Sequence, residues 1–405
     1  MQVIEDNPQE TTQADIVVGI PSYNEADRIA FPTQRADEGL RQFFADRSAV
    51  ILNCDNNSPD GTREAFLGAP TQTPKIYLST PDNIRGKGYN IRNLIRKAVD
   101  LSAKAVIVLD ADLKSITPRW IRNLGEPIFE DSHYVAPLYV RHKYEGPVTN
   151  NIAYPLTRAL YGRRIRQPIG GEFGFSGEMA RKFAETEEWD EAVLNFGIDV
   201  WMSTTAMRSG VEMTQSFMGG PRIHEIKDTA AGTAQIFRNV VGTIFQLMRG
   251  HETFWREVKW SKPTAIFGFG LGEIEVPPPV KVDADALWNE FDVGVRSQAD
   301  MYTAILKPEC HEKLLEVAGL PREAFEFPTV LWAQVIYDFA WAYKNQVFPH
   351  EDLLTGLMPL FYGKTLSFVL ETEAMNTHQV EEIIEEQCLQ FEKTKPYLLE
   401  RWFSG

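Results

Sequence analysis

Residues 105–112 read Ala-Val-Ile-Val-Leu-Asp-Ala-Asp, an unbroken apolar run that stops at two carboxylates. A run of this kind, without the alternation of a half-exposed strand, marks a strand buried on both faces of a parallel sheet. Ligands bind at the carboxyl edge of such sheets, so Asp110 and Asp112 are expected to project into a crevice. Two neighbouring carboxylates repel each other, and a hard divalent cation relieves that repulsion. Mg2+ typically takes one or two protein carboxylates together with substrate phosphates. The same tripeptide recurs at Asp283-Ala284-Asp285, where Pro277-Pro278-Pro279 precedes it and an apolar-periodic run follows. There the aspartates read as a helix cap and first turn.

Composition narrows the partners. The 405 residues carry a formal net charge of −15, with 43% apolar and 24% charged residues. Such a chain suits a soluble globular protein and argues against nucleic acid or an anionic membrane surface as partner. Cys54, Cys310 and Cys388 are far apart and show no metal-site spacing, which points to a reducing compartment. The N-terminus lacks the features of a signal peptide, and no stretch reads as a membrane span. A cytoplasmic location is expected.

The fold class expected is α/β. After a tail over 1–14, residues 15–230 alternate strands and helices in the manner of a Rossmann-like, mostly parallel sheet. Strands are expected at Ile16–Ile20, ending at Pro21, and at Ala49–Cys54, Lys75–Leu78, His133–Val140 and Val211–Met218. Helices are expected over Gly88–Ser102 and Trp120–Glu126. Residues 231–405 are expected to form a mainly helical domain, with apolar faces at 236–248 and 331–339 that serve as core or as the interface of a homodimer.

Several loops would share the sheet edge with Asp110. Pro21-Ser22-Tyr23-Asn24-Glu25 follows the first strand, where Tyr23 offers an apolar wall and Glu25 an acceptor for a base and ribose. The plainer alternative is a turn in which Asn24 caps the next helix. Asp55 closes the second strand, as a nucleotide-binding acid does in doubly wound sheets, or as ordinary turn chemistry. In Arg85-Gly86-Lys87-Gly88 the glycines would let backbone approach a ligand, with Lys87 supplying charge for a diphosphate at a helix N-terminus. Gln167-Pro168-Ile169-Gly170-Gly171-Glu172 would present Glu172 to sugar hydroxyls. Asp199, in Gly197-Ile198-Asp199, starts a helix and could simply cap it. Arg222-Ile223-His224 would bring His224 to the metal.

In this order, the motifs Pro-Ser-Tyr-Asn-Glu, Arg-Gly-Lys-Gly, Asp-Ala-Asp, Gly-Gly-Glu, Gly-Ile-Asp and Arg-Ile-His resemble those of GT-A glycosyltransferases. The likeness is greatest to the retaining group that includes mannosylglycerate synthase and glucosyl-3-phosphoglycerate synthase, and it spans residues 14–230. It implies that Asp112, Asp110 through water or ribose, and His224 bind Mg2+ or Mn2+ on a UDP-, GDP- or ADP-hexose. It implies further that Pro21, Tyr23, Glu25 and Asp55 line the nucleoside site and Lys87 the diphosphate. Glu172 would meet the donor sugar, and Asp199 the reacting centre.

Arg141–Tyr161 resembles the acceptor loop of the phosphoglycerate-using enzymes, in which a Gly-Arg-Val-Thr run holds the acceptor with its arginine on the phosphate. Here the run is Gly146-Pro147-Val148-Thr149. Proline cannot act as a bidentate phosphate ligand. An unphosphorylated acceptor such as D-glycerate is therefore expected, with Thr149, Asn150 and Arg141 on its carboxylate. Arg163, Arg164 and Arg166 keep a phosphorylated acceptor as the alternative. An inverting cell-envelope transferase would carry a Gln-x-x-Arg-Trp pattern and membrane helices, neither of which is evident. A sugar-phosphate nucleotidyltransferase would carry a Gly-rich basic signature after its first strand, where this chain has Pro21-Ser22-Tyr23-Asn24-Glu25.

Overall fold

The computed structural model describes residues 3–223, 230–268 and 276–404. The chain divides into two compact units. The first comprises residues 1–141, 165–227 and 264–277, and the second residues 142–164, 228–263 and 278–405. The boundary expected near residue 230 thus misses two exchanges. Residues 142–164, placed by sequence in the α/β part, belong to the helical unit, and residues 264–277, placed by sequence in the helical part, belong to the first unit.

The first unit is built on a mixed, mostly parallel sheet. Its strands are β1 (Ile4–Asp6), β2 (Ile16–Ser22), β3 (Ala49–Asp55), β4 (Lys75–Ser79), β5 (Ala105–Val108), β6 (Tyr134–Leu138), β7 (Phe173–Ser176), β8 (Met213–Phe217) and β9 (Ala265–Phe267), in the order β1-β4-β3-β2-β5-β7-β6-β8-β9. The parallel set β4-β3-β2-β5 is buried along its length, as its near-continuous apolar sequences require. The antiparallel β7 joins β5 to the parallel pair β6 and β8. Side chains of Ile16, Val18, Ile51 and Ile107 form one core with Trp120, Ile121 and Leu124 of the helix Pro118–Phe129.

Two strand ends differ from expectation. β2 does not stop before Pro21 but runs through it to Ser22, in register with Asp55. The β2–β5 pairing ends at Gly19 opposite Val108, so at Pro21 the strand pairs only with β3, and the missing N–H leaves no gap in a two-sided ladder. β5 itself stops at Val108; Asp110 continues from it and Asp112 lies in the turn beyond.

The second unit is helical apart from an isolated bridge, with the helices Ala230–Gly250, Ala284–Ser297, Thr329–Lys344, His350–Thr372 and Thr377–Phe403 as its main elements. Asp283 caps the helix Ala284–Ser297, accepting from the Ala286 N–H at 2.9 Å, so the second Asp-Ala-Asp has the capping role expected of it. The helix His350–Thr372 corrects the expectation that no segment could span a bilayer: it is long and apolar enough to do so by length and composition. In the folded chain, however, 72% of its apolar window is buried, and its buried Lys364 donates to the Phe327 carbonyl at 3.2 Å and to Thr329 Oγ1 at 3.1 Å. That is how the core helix of a folded domain behaves.

Candidate active site

The carboxyl ends of β2, β3 and β5 open onto a cleft of about 450 Å³, within the range of small-molecule sites. One wall carries Pro21, Ser22, Tyr23 and Glu25; the other carries Asp110, Ala111 and Asp112, with Arg85, Gly86 and Lys87 between them. Asn24 takes a left-handed φ of 57° and leaves the helix Ala30–Phe43 without a side-chain cap. The segment therefore presents Tyr23 and Glu25 to the cleft and does not cap the next helix. Glu25 pairs with Arg28 at 2.9 Å, and the Arg85 guanidinium stands 4.7 Å from the Tyr23 ring centroid.

The Arg85–Gly88 loop is held by amides. The Gly86 N–H donates to Asn56, Asn56 donates to Asn90, and Asn90 donates to the Ser22 carbonyl at 2.9 Å. Lys87 is the first residue of the helix Lys87–Asp100, whose N-terminus has no side-chain cap. Such a terminus favours an anion. The glycines work differently from expectation. A Cβ on Gly86 would stand 2.4 Å from the Leu194 carbonyl oxygen, and one on Gly88 would stand 2.2 Å from that of Val193. Both glycines make room for the π-helical turn Val193–Gly197, which leads into the helix Ile198–Arg208.

That close approach brings Lys87 to Asp199. Lys87 Nζ lies 2.9 Å from Asp110 Oδ1 and 3.2 Å from the Asp199 carboxylate. On its other oxygen Asp110 meets Arg222, whose Nε and Nη2 donate to Glu172 at 2.9 and 3.1 Å; Tyr139 donates its hydroxyl to the same acid. The result is a ladder of alternating charge: Asp199, Lys87, Asp110, Arg222, Glu172. Pairing is obligatory here, because a lone charge in so buried a place is costly. Burial works against the Lys87 charge, but Asp110 and Asp199 outweigh it and hold its pKa above the ordinary lysine value. Asp199 is pushed up to about 6, by burial first and by the nearby Asp110 and Glu172, against the pull of Lys87. The helix N-terminus at Gly197 has no side-chain cap, so capping does not account for this aspartate.

Of the residues proposed from sequence, Pro21, Tyr23, Glu25, Lys87, Asp110 and Asp112 share the cleft, and Asp199 joins through Lys87. Asp55 does not line it. Fully buried, Asp55 accepts from Ser22 Oγ, from the N–H and Oγ of Ser58, and from the Tyr77 hydroxyl at 2.6–3.0 Å. Its role is to lock the end of β2 and the following turn. Glu172, also fully buried, faces Arg222 and Tyr139 and not the cleft. Arg141 lies in the first unit with its guanidinium 5.4 Å from the Tyr139 ring centroid. Thr149 and Asn150 belong to the helical unit, where both are buried and the Asn150 amide donates to the Glu145 carbonyl at 3.2 Å. His224 lies outside the described residues. Sequence reasoning missed Asn56, Asn90, Arg85 and Tyr139. Asn56 stood in a visible turn cluster, and Arg85 in a motif already singled out. Nothing in the sequence marked Asn90 or Tyr139.

Residues 17–184, spanning this cleft and most of the ladder, match the family model for glycosyl transferase family 2. They form a glycosyltransferase domain. The match covers less than half of the chain, and no curated protein matches it. Among solved structures, the chain is similar to the glucosyl-3-phosphoglycerate synthase of Mycobacterium tuberculosis in complex with Mg2+ and uridine diphosphate. That protein is 20% identical, with 57% of this chain and 79% of that one covered and a TM-score of 0.44. The mannosyl-3-phosphoglycerate synthase of Rubrobacter xylanophilus is 19% identical, with 59% of this chain and 75% of that one covered and a TM-score of 0.47.

Proposed function

We propose that this glycosyltransferase is a metal-dependent, retaining enzyme that moves glucose or mannose from a nucleotide-diphosphate sugar to a small hydroxy acid of the glycerate type. The observation that carries this reading is the single cleft joining Tyr23 and Glu25 to Asp110, Asp112 and Lys87 at the carboxyl edge of the parallel strands. Base and ribose would lie along Tyr23 and Glu25. The diphosphate would lie at the uncapped N-terminus of the helix Lys87–Asp100, and the sugar toward Asp199.

The donor set fits a hard cation. Asp112 and Asp110 offer carboxylate oxygens on one wall, and no cluster of three or more His, Cys, Asp or Glu among the described residues would enclose an ion by protein alone. That is the pattern of Mg2+ or Mn2+ shared with substrate phosphates. Asp112 would hold the ion, with Asp110 and His224 as further ligands, and the ion would offset charge on the departing diphosphate. Lys87 adds a fixed positive charge, and Asp199 in its ionised form stabilises the positive charge that develops on the sugar.

The acceptor is proposed to be D-glycerate, because Pro147 stands where the resembling acceptor loop carries an arginine. Arg163, Arg164 and Arg166 support 3-phosphoglycerate as the second reading. The deciding experiment pairs UDP-, GDP- and ADP-hexoses with glycerate and 3-phosphoglycerate, with Mg2+ and with Mn2+, and determines the anomeric configuration of the product. Transfer to glycerate with retention is expected. A strong preference for 3-phosphoglycerate would move the acceptor to the second reading, and absence of transfer from every donor would overturn the proposal.

A further inference from the structure

We infer that Tyr139 is a positioning residue of the donor site, acting through Glu172 and Arg222 on Asp110. The backbone explains how these residues meet. β6 and β8 run parallel, and their pairing continues past both strands: the Met218 N–H donates to Leu138 at 3.0 Å and the Val140 N–H to Gly220 at 3.2 Å. The extended path carries Tyr139 alongside the segment that ends in Arg222. The Tyr139 ring is buried against Trp120, with centroids 5.6 Å apart, and its hydroxyl donates to Glu172.

Glu172 has no exposure to solvent, so the donors it has within the protein set its orientation. It holds Arg222 through two nitrogens, a geometry that fixes the guanidinium plane as well as its distance. Arg222 then meets Asp110, a cleft-lining acid. The chain of contacts is close-packed: a Cβ on Gly171 would stand 2.2 Å from Asp110 Oδ2 and 2.8 Å from Arg222 Nη2. Phenylalanine would fill the Trp120 contact equally well, so the hydroxyl matters for its bond to Glu172. Burial and the neighbouring acid raise the Tyr139 pKa well above the ordinary value, which keeps the hydroxyl a donor throughout the working pH range.

The inference rests on the donor-site reading for its consequence, and the test separates the two. In Tyr139→Phe, with arginine 15N-labelled and the Arg222 Nε–H signal assigned through Arg222→Lys, that signal is expected to shift and exchange faster with water. Affinity for uridine or guanosine diphosphate with Mg2+, measured calorimetrically on folded protein, is expected to fall about tenfold, the loss of a bond to a charged group. In a Glu172→Gln background, Tyr139→Phe should cause no further loss. An unchanged Arg222 signal, or an unchanged affinity beside a shifted signal, would overturn the positioning role. If the wild-type chain bound neither nucleotide, the donor-site reading would fail, while the Arg222 signal would still decide whether Tyr139 orients the pair.

Discussion

Asp199 sits beside Lys87 with two further carboxylates nearby, and its titration follows from that setting. Its pKa is about 6 in the folded chain against 3.8 for the unperturbed group. Well below pH 3.8 both states are protonated and no penalty applies. As pH rises through 6, the folded state must ionise a group that the unfolded chain ionises more readily, so this contribution to stability is lost. The loss amounts to at most about 3 kcal/mol. Thermal melts of wild type and Asp199→Asn between pH 4 and 7 should therefore diverge, with wild type falling relative to the variant as pH rises; parallel curves would contradict the raised pKa. Asp112 makes a different prediction. Asp112→Ala should abolish metal-dependent turnover while circular dichroism and melting temperature stay near wild type. Full activity would remove Asp112 from the metal site.

The loop Arg85–Gly88 and the π-turn Val193–Gly197 work as one piece, because glycine lets their backbones touch. Alanine normally stabilises a helix relative to glycine by up to about 1 kcal/mol. Gly88→Ala should do the reverse, costing about 2 kcal/mol or more, since its Cβ would meet a backbone carbonyl and not a flexible side chain. Gly68→Ala, in the last turn of the helix Thr62–Gly68 with nothing within 4 Å of its added Cβ, is the control and should be neutral or stabilising. Gly88→Ala should also lower kcat more than Gly68→Ala, because the displaced turn carries Asp199. Strand-level reading was accurate where an apolar run was unbroken, as in β3 and at the start of β5. It placed the end of β2 too early because proline is a local signal, whereas the point at which β5 stops pairing is not.

At the scale of the whole molecule, the exchange of residues 142–164 into the helical unit has a mechanical consequence. Arg158 is buried there with Glu392 at 2.6 Å, Trp332 donates to the Asn151 carbonyl at 2.7 Å, and Gln387 donates to the Asn150 carbonyl at 2.7 Å. A fragment ending at residue 230 would keep the apolar segment Ile152–Tyr161 without these partners. It should be poorly soluble or bind a hydrophobic dye, although it contains every strand but β9; a soluble, cooperatively melting fragment would contradict the division into units. Arg158→Met in the full chain should destabilise it by about 3–5 kcal/mol by leaving Glu392 buried without its counter-charge. The sequence by itself determined the α/β class, the buried strand before Asp110 and the order of the loops at the sheet edge, because hydrophobic period and turn chemistry are local properties of the chain. Only the tertiary structure decided that Asp55 and Glu172 are buried supports and not cleft walls, and that Lys87 joins Asp110 to Asp199. It alone placed Tyr139 behind Arg222 and moved residues 142–164 to the helical unit. Those outcomes depend on which distant segments pack together and on how each buried charge finds its partner.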